Sequence, residues 1–307
     1  MNYLNIMSNY QRELLLYRIT ILKNIHSLFN KILSFLTITS IYIATAGFLV
    51  SIYSFVLYEI NIDFVLSLAS FFATFAIYNL NKLTDIKEDS INLVSRAKFT
   101  EKNKHYIIFS IIIASFAALY LSFLQSLSAI YIILFPFCIG FVYSIKISTF
   151  RLKDITGIKS IAVALAWAVI GAFMPIAVHS SNLTMISLIF FFFFVKLFIN
   201  TVLFDVRDVK GDSMNGVTTI PVFLGLKQTK KLLLVLNSTL IPWLIYSYSK
   251  GFFYGQIFVL IFAIFYGYGC ILYFCREDIE IGVSLDLLVD GEWIPIVIIG
   301  LIFAKWI

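Results

Sequence analysis

Charge is scarce in this chain. Lys, Arg, Asp and Glu together make up only 13% of its 307 residues, while 61% are hydrophobic and 17% aromatic; an ordinary soluble domain is about 25% charged and 45–50% apolar. With a mean hydropathy of +0.95, there is too little polar side chain to cover a water-facing surface. A soluble globule is excluded, and the bilayer becomes the solvent for most of the protein. Intrinsic disorder and a nucleic-acid-binding domain fall with it. Cysteine is nearly absent: the three residues, at 138, 270 and 275, lie in apolar runs and read as small buried hydrophobes rather than a disulfide framework. The three histidines, His26, His105 and His179, show no ligand spacing and read as interfacial. A cleavable signal peptide is also missing, since the first 25 residues carry Arg12, Glu13, Arg18 and Lys23 and no compact apolar core. The N-terminus is therefore expected to stay on the chain.

What is abundant is apolar stretches long enough to cross a bilayer, for which about 20 residues are needed. Nine occur, near 32–57, 63–81, 105–123, 126–145, 159–178, 183–204, 231–249, 252–274 and 287–305. The distribution of basic residues tests that count, because cytoplasmic loops are enriched in Lys and Arg. With the N-terminus inside, the leading tail and the even-numbered loops hold 20 of the 23 basic residues; the exceptions are Lys250, Lys305 and Lys196, the last inside a span. The expectation is an all-α integral membrane protein with nine transmembrane helices. A single polytopic domain covers 1–307, and 1–27 forms a cytoplasmic N-terminal segment. Of the 17 acidic residues only Glu59 and Asp63 belong to the opposite side, so the cytoplasmic loops are the working face.

Two of those loops carry stacked acids. The loop after span 2 opens YNLNKLTDIKED, with Asn81, Asp85 and Asp89 at intervals of four. The loop after span 6 opens FDVRDVKGDSMNG, with Asp205, Asp208 and Asp212 at intervals of three and four. On a helix each set shares one face. Like charges so placed repel, and a pattern that stacks them twice points to bound cations more than to solvated helix ends. Mg²⁺ suits such sets, because it takes one or two carboxylates together with substrate phosphates. Two facing sites would clamp a diphosphate. Its negative charge also calls for basic groups: Arg96, Arg207, Lys210, Lys146, Arg151 and Lys153 are the candidates, each of which also serves the topology rule. Asn200 lies about one turn before Asp205. Lys196 is either a functional group or a structural partner, and Asp286, Asp290 and Glu292 form a third acidic group near the last span.

The first cluster resembles the NxxxDxxxD element of the UbiA-type superfamily of intramembrane prenyltransferases, continuing through Asn92 and Arg96 with Val94 and Ala97 where the family has prolines. The second is similar to that family's D-x-x-D-x-x-G-D followed by G-x-x-T-x-P-x-x-x-G, at Asp205, Asp208, Gly211, Asp212, Gly216, Thr219, Pro221 and Gly225; Tyr143 to Lys153 resembles its Tyr-Ser element with a downstream Arg-x-Lys. The resemblance implies that the nine transmembrane helices surround a central cavity, with a cytoplasmic cap of loop helices over the site. It also implies a Mg²⁺-dependent reaction in which an isoprenyl diphosphate ionises and the allylic cation alkylates a hydrophobic acceptor, usually the aromatic ring of a quinone precursor. It assigns metal binding to Asn81, Asp85, Asp89, Asp205, Asp208 and Asp212. Diphosphate contacts fall to Arg96, Arg151, Lys153 and Tyr78, and catalytic roles to Tyr143 and Lys146.

Aromatic faces shield and stabilise carbocations, but with 32 Phe and 17 Tyr abundance removes specificity, and the run Phe190 to Phe194 reads as packing or lipid-facing surface. Alternatives within the fold are a membrane terpene cyclase, or prenyl transfer to a glycerol phosphate lipid, a carotenoid or a porphyrin. A cation transporter would place ionisable groups at the membrane midplane on broken inverted repeats, whereas these acids gather at one interface.

Overall fold

The computed structural model describes residues 9–144, 157–278 and 281–304. Among them every regular element is a helix: α1 (Asn9–Ile38), α2 (Ile41–Leu57), α3 (Phe64–Thr84), α4 (Ile86–Asn92), α5 (Val94–Lys102), α6 (Lys104–Gln125), α7 (Leu127–Ser144) and α8 (Ile158–Phe173) in the first half. Then follow α9 (Leu183–Met214), α10 (Ile220–Leu224), α11 (Leu226–Ser238), α12 (Leu240–Ser249), α13 (Ile257–Phe274), α14 (Val283–Val289) and α15 (Trp293–Phe303), with a 3₁₀ turn at Asp290–Glu292 between the last two.

The starts of the long helices are set by local chemistry. Asp63 accepts the backbone N–H groups of Val65 and Leu66 at 2.9 Å each, capping α3. Asn182 accepts that of Met185 at 2.7 Å, capping α9. Both caps fill donors that a helix N-terminus otherwise leaves open.

Each of the nine apolar stretches meets a helix, but among the described residues five are long and apolar enough to cross a membrane by themselves: α3, α6, α9, α11 with α12, and Tyr254–Phe274. The first stretch is bent by 73° between α1 and α2, where Ser40 takes a left-handed φ of 64°. The fourth and fifth are short apolar helices, and the ninth is divided among α14, the 3₁₀ turn and α15. By length and composition the described helices thus give five membrane-length elements, or six with the bent pair, where the sequence reading expects nine, because mean apolarity over 20 residues does not register a turn or a bend inside the window.

Close helix approach inside a bilayer rests on small residues, since lipid tails are as apolar as the core. Six of the eight buried residues of α8 are small, Ser160, Ala162, Ala164, Ala168, Gly171 and Ala172, beside Trp167 and Ile170. A Cβ on Gly171 would come within 2.7 Å of the Phe193 ring, so α8 lies hard against α9. This approach carries Lys159 and Ser160 to the acidic end of α9. Further along α9, Phe192 and Phe193 are fully buried, packing on Trp243 and Trp293 at ring distances of 5.4 and 5.5 Å. Most of the phenylalanine run is packing, one of the two roles read from the sequence, and Phe191 is exposed.

Candidate active site

The two acidic sequences converge on one cavity. Asn81, Asp85 and Asp89 reach it from the α3–α4 junction, Asp205, Asp208 and Asp212 from the end of α9, Tyr78 from α3 and Arg96 from α5. The second set sits on one unbroken helix, as its spacing requires. The first does not. α3 ends before Asp85, whose φ of −106° and ψ of 17° are not helical. The hydrogen bonds Asp85 N–H to Asn81 O and Asp89 N–H to Asp85 O persist at 2.9 and 2.8 Å, so the three residues stay on one side despite the break.

The two sequences touch through Asn92. Its Oδ1 accepts the Gly211 backbone N–H at 2.8 Å and its Nδ2 donates to the Asp208 carbonyl at 3.1 Å. A Cβ at position 211 would collide with the Asn92 amide, which explains glycine in D-x-x-G-D at a position with ordinary helical φ.

Arg96 forms a two-pronged pair with Asp89, one bond being Nε to Oδ2 at 2.7 Å. Burial pushes the Asp89 carboxyl above the usual carboxylate range, and the Arg96 guanidinium opposes that shift. Lys159 Nζ bridges Asp205 at 2.8 Å and Asp212 at 3.2 Å, and Ser160 donates its hydroxyl to Asp205 at 2.8 Å. Arg207 lies 5.0 Å from the centre of the Phe204 ring. It pairs with Asp208 at 2.9 Å and with Asp286 at 3.3 Å. Tyr78 accepts the Trp167 indole N–H at 3.1 Å. On the same cavity the wall turns apolar, with Ile77, Ile139, Val163 and Ile170.

Tyr143 is in the last turn of α7; Lys146, Arg151 and Lys153 lie outside the described residues. Lys210 is exposed and His105 and His179 are on the surface. Lys196 and Asn200 are in the core, both bonded to Glu292. Lys159 is the contributor that the sequence reading passed over, counted only among the loop cations. Its signal was position: it immediately precedes the small-residue face of α8. Glu88, buried at the mouth, was likewise missed.

Formal charge states what the site is fit to hold. Among the described residues, eight carboxylates line the cavity (Asp85, Glu88, Asp89, Asp205, Asp208, Asp212, Asp286 and Asp290) against four cationic side chains (Lys82, Arg96, Lys159 and Arg207). That is an excess of four negative charges. The Oδ1 atom of Asn81 is buried without a hydrogen-bond partner, a condition costing about 1–3 kcal/mol unless a ligand satisfies it. An oxygen-rich, net-negative pocket with an unsatisfied carbonyl oxygen fits divalent hard cations. No group of three or more acids among the described residues is close enough to form a finished cage, the arrangement expected where substrate oxygens complete the coordination.

A helical membrane scaffold with paired acidic sequences around one cavity defines a class of intramembrane enzymes with an acid-lined site. Similarity to known proteins narrows the class. The profile of the UbiA prenyltransferase family matches residues 40–283, and the chain belongs to that family. It is thereby an enzyme of prenyl transfer. No curated protein sequence matches it significantly. Among solved structures, it is similar to a UbiA homologue from Archaeoglobus fulgidus bound to GPP and Mg²⁺, with TM-score 0.68 and 18% identity over 88% of this chain and 99% of that one. It is also similar to an apo UbiA homologue from Aeropyrum pernix K1 (TM-score 0.61, 13% identity, 84% and 98% covered). A digeranylgeranylglyceryl phosphate synthase gives TM-score 0.56 and 17% identity, with 85% and 91% covered. At these identities the likeness establishes the fold.

Proposed function

We propose that this protein is a Mg²⁺-dependent prenyltransferase that moves an isoprenyl group from an isoprenyl diphosphate to a hydrophobic acceptor, an aromatic quinone precursor, and releases diphosphate. The observation that carries this reading is the cavity's charge: with four excess negative charges, a diphosphate would be repelled unless about two divalent cations entered with it. The Archaeoglobus fulgidus homologue bound to GPP and Mg²⁺ supports the same chemistry here. Asn81, Asp85, Asp89, Asp205, Asp208 and Asp212 would hold the metal. When bound, Mg²⁺ supplies the positive charge that stabilises the departing diphosphate.

The chain's own groups do the rest. Arg96 and Lys159 present positive charge at the mouth, to be joined by Arg151 and Lys153, and Tyr143 and Lys146 belong beside the leaving group. Tyr78 and Trp167, in edge contact at 6.1 Å, offer ring faces to an allylic cation just inside the acids. The apolar wall of Ile77, Ile139, Val163 and Ile170 excludes water from it.

The polarity of the basic residues, 20 of 23 on one side, supports a cytoplasmic N-terminus and a cytoplasmic active-site mouth in the cell membrane. We read the nine apolar stretches as nine crossings around the cavity, with α4, α5 and α10 as the cap.

Purified protein in liposomes, given farnesyl or geranylgeranyl diphosphate, Mg²⁺ and a panel of acceptors, tests the reading by mass spectrometry. Prenylated aromatic product is expected. A cyclised hydrocarbon formed without acceptor would refute transfer, and cation flux without diphosphate release would refute both.

A further inference from the structure

Seven of the eight cavity carboxylates belong to the two acidic sequences or, like Asp286, are ion-paired to Arg207. Asp290 is different. It stands on the 3₁₀ turn Asp290–Glu292, on the wall with Tyr42 and Tyr78, and among the described residues no hydrogen bond or ion pair engages its carboxylate. Arg207, whose charge it feels, is already bonded to Asp208 and Asp286.

The turn that carries it is fixed from behind. Two residues on, Glu292 points into the core, where Lys196 Nζ meets Oε2 at 2.8 Å and Asn200 Nδ2 donates to Oε1 at 2.7 Å. Lys196 also donates to the Ala263 carbonyl at 3.1 Å. Gly291, between the two acids, packs where a Cβ would strike the Tyr42 hydroxyl, and that hydroxyl donates to the Leu287 carbonyl at 3.1 Å. A fully buried ion pair in a membrane core is costly and weakly stabilising in itself. Here its geometric effect is to pin a three-residue turn so that one unengaged carboxylate faces the aromatic side of the cavity.

We propose that Asp290 is the general base of the acceptor half of the reaction, with Lys196, Asn200 and Glu292 as positioning residues; this rests on the reading of the cavity as a site of prenyl transfer to an aromatic ring. The C–O bond of the allylic diphosphate breaks and its electron pair leaves with the diphosphate. A ring π pair forms the new C–C bond to the allylic carbon. The C–H bond at the attacked ring carbon then breaks, its electrons restore aromaticity, and the proton passes to the Asp290 carboxylate. A diphosphate held by divalent cations would be a poor base for that proton.

The test uses the full chain in liposomes with geranylgeranyl diphosphate, Mg²⁺, and 4-hydroxybenzoate with its ring-deuterated form, alongside a panel of other hydroxylated aromatics. Removing a positioned base slows a reaction by about 10²–10⁴-fold, so Asp290→Asn is expected to slow transfer to that degree. It is also expected to convert an isotope effect near unity into a primary one, because proton loss becomes slow. In Asp290→Ala, formate is expected to restore part of the rate, a rescue that a purely structural role would not show, and donor binding serves as the check on folding. Wild-type rates and isotope effects in folded D290N, or no formate rescue in folded D290A, overturn the assignment. If the wild type releases diphosphate but alkylates no aromatic ring, the base assignment fails while the donor reading stands; if it releases none, both fail.

Discussion

Replacing Lys196 by Met removes one half of an ion pair whose side chains are 0% and 2% exposed. At 2.8 Å and an effective dielectric of about 20, the attraction amounts to roughly 6 kcal/mol, most of it offset by the desolvation of both charges. Deleting one partner removes the attraction and leaves the other charge in the core. Lys196→Met and Glu292→Gln are therefore each expected to destabilise by about 3–5 kcal/mol. The double variant behaves differently. A glutamine amide in place of the Glu292 carboxylate keeps an oxygen for Asn200 and carries no charge, so K196M/E292Q is expected within about 1 kcal/mol of wild type, as replaced buried pairs usually are. The coupling between the sites then exceeds the roughly 0.5–3 kcal/mol of ordinary contacts. Unfolding in mixed micelles, followed by tryptophan fluorescence, reads it directly, since Trp293 is buried beside the pair. Single variants within about 1 kcal/mol of wild type, or a double variant as unstable as the sum of the singles, would refute the argument.

Asp85→Ala and Asp208→Ala are each expected to reduce turnover by at least about 10²–10³-fold with the fold intact, and excess EDTA to do the same to the wild type; full activity in any of these, by product mass spectrometry, counts against the metal clamp. Gly211→Ala forces a methyl group into the Asn92 amide and is expected to cost about 1–3 kcal/mol in thermal unfolding as well as activity, whereas wild-type stability would show that the two loops separate freely. Lys159→Met removes a positive charge lying 2.8 and 3.2 Å from two proposed metal ligands. Mn²⁺ binding to donor-free protein, measured by paramagnetic resonance, is expected to tighten by about tenfold or more; unchanged or weaker binding would mean that the lysine does not compete with the metal.

The acids of α9 were legible in the sequence because they lie on one uninterrupted helix, where spacing alone fixes the face. The first cluster was less so. Its spacing is helical, yet the chain breaks at Asp85, a departure that propensity over a short polar segment does not reveal. Arg96 was placed in the site from its motif, but its engagement with Asp89 depends on how α5 turns back on α4. Lys159 and the Lys196–Glu292 pair were not legible as partners, because their contacts join residues far apart in sequence: 53 positions from Lys159 to Asp212 and 92 from Asn200 to Glu292. Those contacts follow from which helices pack, and here small residues such as Gly171 decide that. The shortness of α15 escaped for a related reason: an apolar window does not distinguish a helix from a helix joined to a turn.

Asn92 and Gly211 have a consequence for how such sequences diverge. The amide needs both the backbone N–H of 211 and the space that a side chain there would fill. Neither position can drift alone: any larger residue at 211 must be accompanied by a shorter one at 92, and a lost asparagine leaves the glycine without a reason to persist. The two acidic sequences, 119 residues apart at this contact, are thus inherited as one unit, and in relatives of this chain the residue at one position should report the residue at the other.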